Sequence, residues 1–169
     1  ARDDQQDAGP ISLDTLAEDV ATLLRRTFAT RQLHLKVDIQ QPVPAVVGYA
    51  KAIETVVVNL LLNAADATPP DGTVTLTVRG NSGSGAAEIE VCDTGPGVPL
   101  ALRERVFEPF FTTKEVGHGT GLGLAVCRSI VERHGGSIRV DAPQGGGCRF
   151  VVILPQQPEG AQWKEPVFS

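Results

Sequence analysis

Asn59 and Asn63, in the run NLLLNAADA, stand four residues apart and share one face of any helix they lie on. Their amide oxygens are hard ligands. Such a pair suits Mg²⁺, a hard cation that takes oxygen ligands and bridges to substrate phosphates. Asp93 opens DTGPG after an apolar-alternating run, where a carboxylate can accept a hydrogen bond from an exocyclic amine deep in a pocket. Gly95 and Gly97 let a ligand approach the backbone closely. GHGTGLGL, Gly117 to Leu124, then leads into a helix. Backbone N–H groups around Gly119, Thr120, Gly121, Leu122 and Gly123 are free to point at phosphate, and the helix dipole favours an anion there. Between these clusters lies FEPFFTTK, whose Lys114 is a flexible cation able to reach phosphate. In this order the pieces describe a nucleotide pocket.

Each piece alone has a plainer reading. The asparagines could be core amides satisfied by neighbouring backbone. DTGPG could be an ordinary Asp-Gly turn, and the later glycines a hinge. Phe107, Phe110 and Phe111, with Thr112 and Thr113, form either a packed loop or a mobile lid whose rings dock on the body or on a partner. A dinucleotide fold is a rival, because Asp141 falls about 20 residues past the glycines. It requires a strand running straight into the glycines, and Lys114–Gly117 is not one. A P-loop fails because no Lys-Ser/Thr pair closes the run. His34, His118 and His134 lie beside no Ser or Cys nucleophile and read as structural or surface residues.

Elements must hold these residues in place. Leu13, Leu16, Val20, Leu23, Leu24 and Phe28 recur at helical spacing after Ser12, a suitable N-cap. Leu33 to Ile39 alternates like a half-buried strand, and QPVPAVVG carries the chain, through a short strand, into a second helix. That helix runs from about Ala50 to Thr68 and is apolar nearly all round except for Thr55, Asn59, Asn63 and Asp66 along one stripe. Buried amides on a helix must find partners or ligands, because asparagine is a poor helix former. Thr73–Arg79 and Ala87–Cys92 read as paired strands, and residues 93–118 as a long loop. A third helix from about Thr120 to His134 precedes strands Ser137–Asp141 and Cys148–Leu154. The sum is α/β: a two-layer sandwich with a mixed sheet of about five or six strands and three helices on one face. Residues 1–10 read as a polar lead-in, 11–155 as the domain and 156–169 as a tail around Trp163.

Composition narrows the partners. With 169 residues and 41% apolar content, one sizeable core is expected. A net charge of −5 without a basic block gives no footprint for nucleic acid or anionic membrane. No apolar run reaches the roughly 18 residues of a membrane span. The three cysteines, Cys92, Cys127 and Cys148, lack metal-ligand spacing and read as reduced thiols in a cytoplasmic protein. Without methionine, the chain reads as a piece of something longer.

Taken together, the motifs resemble the catalytic and ATP-binding domain of bacterial sensor histidine kinases, in a superfamily shared with type II topoisomerases and heat-shock chaperones. The resemblance covers about Ile11 to Pro155. NLLLNAADA is similar to the family's N box, DTGPG to its G1 box, FEPFFTTK to its F box, GTGLGL to its G2 box, and GGGCRF to its last glycine element. It implies a Bergerat-type fold binding ATP and Mg²⁺. In it Asn59 and Asn63 would hold the catalytic metal and the phosphates, beside Asp66, and Asp93 would read the adenine amine. Gly95 and Gly97 would shape the adenine pocket, and Gly119, Thr120, Gly121, Leu122 and Gly123 the phosphate side. Residues 98–118 would form the ATP lid. Cys148 departs from the usual Thr or Ser, which leaves a water-bridged purine contact unsupported.

Position 59 separates two chemistries. Hydrolysing members carry glutamate where this chain has Asn59, and an amide cannot take a proton from water. Glu54, at about 100° per residue, faces elsewhere on the helix. Transfer to a protein histidine is therefore expected over hydrolysis. The family's histidine-bearing dimerisation segment is absent from this sequence, so the acceptor would lie on a separate domain, with a response-regulator receiver downstream. Without that segment the piece is expected to be monomeric. A nucleotide-sensing or interaction module, and an ATPase, are the alternative readings.

Overall fold

The computed structural model describes residues 7–114 and 120–156. The chain runs β1 (Gly9–Ile11), α1 (Leu13–Thr30), β2 (His34–Gln40), β3 (Val46–Gly48), α2 (Ala50–Ala67), β4 (Thr73–Gly80) and β5 (Ala87–Asp93). Two 3₁₀ turns, Leu100–Leu102 and Arg105–Phe107, follow, then α3 (Gly123–Arg133), β6 (Ser137–Asp141) and β7 (Cys148–Leu154). Five strands form one mixed sheet in the order β2-β4-β5-β7-β6. Only β2 and β4 are parallel, with α2 in the crossover between them. The other three pairings are antiparallel.

Side-chain alternation decides the layering. In β4, Val74, Leu76 and Val78 are fully buried, while the intervening Thr75 and Thr77 face the other way. Ile89 and Val91 of β5 and Phe150, Val152 and Leu154 of β7 continue the apolar face. Against it lie α1, α2 and α3, with α2 packed between its two neighbours. That central place explains why α2 buries Ile53, Val56, Val57, Leu60, Leu61, Ala64 and Ala65. Burial of each large side chain there contributes about 1.5–3 kcal/mol. The sheet's other face is held by polar pairs: Arg79 bonds Glu88 and Glu90, and Arg149 bonds Asp141.

Three boundaries differ from the sequence reading. Strand β1 begins at Gly9, two residues inside the expected lead-in, because it pairs antiparallel with β3. Helix α3 begins at Gly123 rather than Thr120, because Gly121 has φ 68° and cannot continue a right-handed helix. The loop after β5 contains the two 3₁₀ turns, closed by Leu102 N–H on Pro99 O and Glu108 N–H on Arg105 O.

Candidate functional site

A cavity of about 550 Å³ opens between α2, the end of β5, the start of β7 and the N-terminus of α3. Helix α2 supplies Asn59, Asn63 and Asp66 on one wall, as their spacing requires. Asn59 donates its Nδ2 to Thr55 O at 2.9 Å, one turn back. That bond orients the amide, so Oδ1 is the atom left for a ligand. Oδ1 sits 3.3 Å from where a Cβ on Gly123 would lie, so a glycine there lets α3 come close. Asn63 also lines the cavity, and its amide makes no hydrogen bond to protein among the described residues.

Asp93 is 5% exposed at the end of β5. Burial pushes its carboxyl above the usual carboxylate range, partly offset by bonds from the Gly95 and Cys148 backbone N–H groups. The Gly95 bond is 2.8 Å. Gly95 itself does not line the cavity. A Cβ on it would lie 2.5 Å from Ala67 O, so it lets the turn pass under α2 and aims Asp93. Gly147 has the same function from the opposite side: φ is 91°, and a Cβ would meet Asp93 O at 2.0 Å. Cys148 follows it into the cavity wall, where burial, then the nearby Asp93 charge, push its thiol up to about 12.

At the other end, Thr120, Gly121, Gly123 and Leu124 face the cavity. Leu122, at the N-cap of α3, is 38% exposed, does not line the cavity and makes no side-chain cap. The first N–H groups of the helix are thus not consumed by a capping side chain, as an anion site needs. Gly119 lies outside the described residues. Phe110 N–H donates to Gly121 O at 2.9 Å and ties the F-box segment to this end.

That segment divides into wall and rim. Phe107 is 5% exposed and packs edge-on to Phe150, centroids 6.1 Å apart. It belongs to the core rather than to a lid. Phe110 points outward, 75% exposed. Phe111, Thr112, Thr113 and Lys114 line the cavity, and Lys114 Nζ sits 2.5 Å from Asp66 Oδ2. The sequence singled out neither Leu62 nor Phe150 as an apolar wall, and Val98 and Val106, expected in the lid, line the cavity with them. Apolar residues in apolar elements give no signal that distinguishes a ligand wall from core.

The chain matches the model of the histidine kinase-, DNA gyrase B-, and HSP90-like ATPases over residues 48–158, and it belongs to that family. It is 38% identical to the sensor kinase CckA of Brucella abortus (strain 2308), over 86% of this chain and 17% of that protein. It is also 39% identical to the adaptive-response sensory kinase SasA of Rippkaea orientalis, over 85% of this chain and 37% of the relative. The chain thus spans well under half the length of these relatives. Among solved structures, a catalytic domain of histidine kinase ThkA superposes with a TM-score of 0.81 at 30% identity, covering 91% of this chain and 99% of that one. The matched part is the ATP-binding catalytic domain of sensor histidine kinases.

Proposed function

We propose that this domain binds Mg·ATP in the cavity and donates the γ-phosphoryl group to a histidine on a separate dimerisation domain, for relay to a response-regulator receiver. The observation that carries it is the amide at position 59. Among the described residues no group of three or more His, Cys, Asp or Glu could hold a metal alone. The Asn59 and Asn63 oxygens fit a cation that keeps most of its ligands from phosphate and water. Asn59 and Asn63 would hold Mg²⁺, which would supply positive charge against that of the phosphates. Asp93 accepts the adenine amine, Gly121, Gly123 and the α3 N-terminus cradle the phosphates, and Lys114 meets the distal charge. Cys148, Gly97 and Phe150 bound the purine end.

No carboxylate stands where Asn59 does, so that position offers water no base, and an incoming imidazole brings its own nucleophilic nitrogen. In the transfer, the γ-phosphorus–oxygen bond to ADP breaks as a phosphorus–nitrogen bond to histidine forms. That a solved structure of ThkA is described as a complex with the response regulator TrrA supports the downstream partner by analogy. No helix among the described residues is long and apolar enough to cross a membrane. A cytoplasmic setting for this piece fits ATP as donor. Calorimetric titration with ATP, with and without Mg²⁺, tests the binding half: saturable one-site binding enhanced by Mg²⁺ is expected, and no binding would overturn the reading.

A further inference from the structure

Asp66 has the cavity's most heavily committed carboxylate. Lys114 Nζ binds Oδ2 and Arg31 Nη1 binds Oδ1, each at 2.5 Å. Burial acts to raise its carboxyl, but the bonds from Lys114 and Arg31 outweigh that and hold it below the usual range. Asp66 is therefore ionised at neutral pH. Both oxygens face cations, so the carboxylate presents no free edge to a polyphosphate. Its negative charge is balanced by Arg31, and the trio carries a net positive charge through Lys114.

The three residues come from different parts of the fold. Arg31 caps α1 at its C-terminus, Asp66 is in the last turn of α2, and Lys114 ends the segment that lines the cavity rim. Arg31 lies outside the stretch matched by the family model. Within the segment, Lys114 N–H donates to Thr112 Oγ1 at 3.0 Å, and Phe110 is tied to Gly121 at the base. The backbone near Lys114 is thus shaped locally, while among the described residues its ammonium is placed by Asp66. One carboxylate occupies only part of an ammonium with three donors, leaving N–H groups free for a phosphate.

The geometry points to Asp66 as a positioning residue: with Arg31 fixing its orientation, it holds the Lys114 ammonium at the cavity rim to receive the terminal phosphate of a nucleoside triphosphate. Asp66 acts through Lys114 and does not touch the nucleotide. A lysine held in place beforehand loses less side-chain entropy on binding than one recruited from solvent. The inference rests on the Mg·ATP reading of the cavity.

Dissociation constants of the full chain for Mg·ATP and for AMP test it, in the wild type and in Asp66→Asn, Lys114→Ala, Arg31→Gln and the Asp66→Asn/Lys114→Ala double variant. Thermal melts confirm that each variant is folded. Asp66→Asn should weaken Mg·ATP about tenfold and leave AMP within about twofold, with Asp66→Glu recovering most of the loss. Arg31→Gln should weaken Mg·ATP by a smaller factor. In the Lys114→Ala background Asp66→Asn should add nothing. Unchanged or tighter Mg·ATP binding by Asp66→Asn, or full additivity in the double variant, overturns the proposal: the first outcome makes the pair a restraint on Lys114, the second makes Asp66 independent of it. A wild type that binds neither nucleotide instead overturns the reading of the cavity itself.

Discussion

Asn59 and Asn63 are chemically alike yet differently held, and the difference says what each does. Asn59 spends its Nδ2 on the Thr55 carbonyl, which fixes its oxygen toward α3. Asn63 lines the cavity and, among the described residues, its amide makes no hydrogen bond to protein. Asn63→Ala should therefore weaken Mg·ATP far more than metal-free adenosine in paired titrations, whereas equal losses would remove the metal assignment. Asp93 carries the opposite end. It accepts an amine most strongly when ionised, but burial raises its carboxyl. Adenosine affinity should thus begin to fall, on acidification, at a higher pH than the value of about 3.9 for a free aspartate implies. Asp93→Asn, which swaps half the acceptor for a donor, should cost on the order of ten- to a hundredfold in adenosine binding. A pH-independent affinity down to pH 4, or full binding by the asparagine variant, would place the purine elsewhere.

The elements are joined by a few tight junctions, and two of them make sharp tests. Gly147 occupies φ 91°, and a Cβ there would meet Asp93 O at 2.0 Å. Gly147→Ala should lose on the order of 2 kcal/mol in urea unfolding and weaken adenosine binding, because the clash displaces the strand end that aims Asp93. An alanine variant matching wild type in both would show that the junction is slack. His134 closes α3 onto the start of α2: its Nε2 accepts the Tyr49 N–H at 3.1 Å, and its Nδ1 donates to Ile130 O at 2.7 Å. Burial lowers its pKa, opposed by the Ile130 bond. The unfolded chain then takes up a proton near pH 6.5, before the folded one does, so stability is full above that pH and declines as pH falls below it. His134→Gln should remove that part of the slope of the urea midpoint against pH; equal slopes in both proteins would contradict the assignment.

For the whole molecule, polar spacing carried the site and apolar periodicity carried the fold. The stripe on α2, the carboxylate ending β5 and the glycines before α3 were legible because each breaks a local rule: amides in a helix, an acid at a strand end, glycines at a helix start. The strand pattern gave the two layers for the same reason, since Val74, Leu76 and Val78 alternate with threonines. Strand β1 was not legible, because Gly-Pro-Ile forms a strand only through its partner β3. Nor was the split of the F-box segment. Phe107, Phe110 and Phe111 look alike in sequence, and only the tertiary fold puts the first in the core, the second in solvent and the third on the cavity. The tie of Lys114 to Asp66 and Arg31 spans α1, α2 and the rim, so no local pattern could announce it.

Assembly and chemistry also belong at this scale. A domain with an amide where a hydrolase needs a base should hold ATP intact until a histidine arrives. Labelled ATP mixed with this chain and a histidine-bearing dimerisation domain tests that directly. Label is expected on the added domain in an acid-labile, alkali-stable bond, lost with Asn63→Ala, with little free phosphate from the chain alone. Steady phosphate release by the chain alone, abolished by Asn59→Ala and without any labelled histidine, would contradict it and make the site an ATPase.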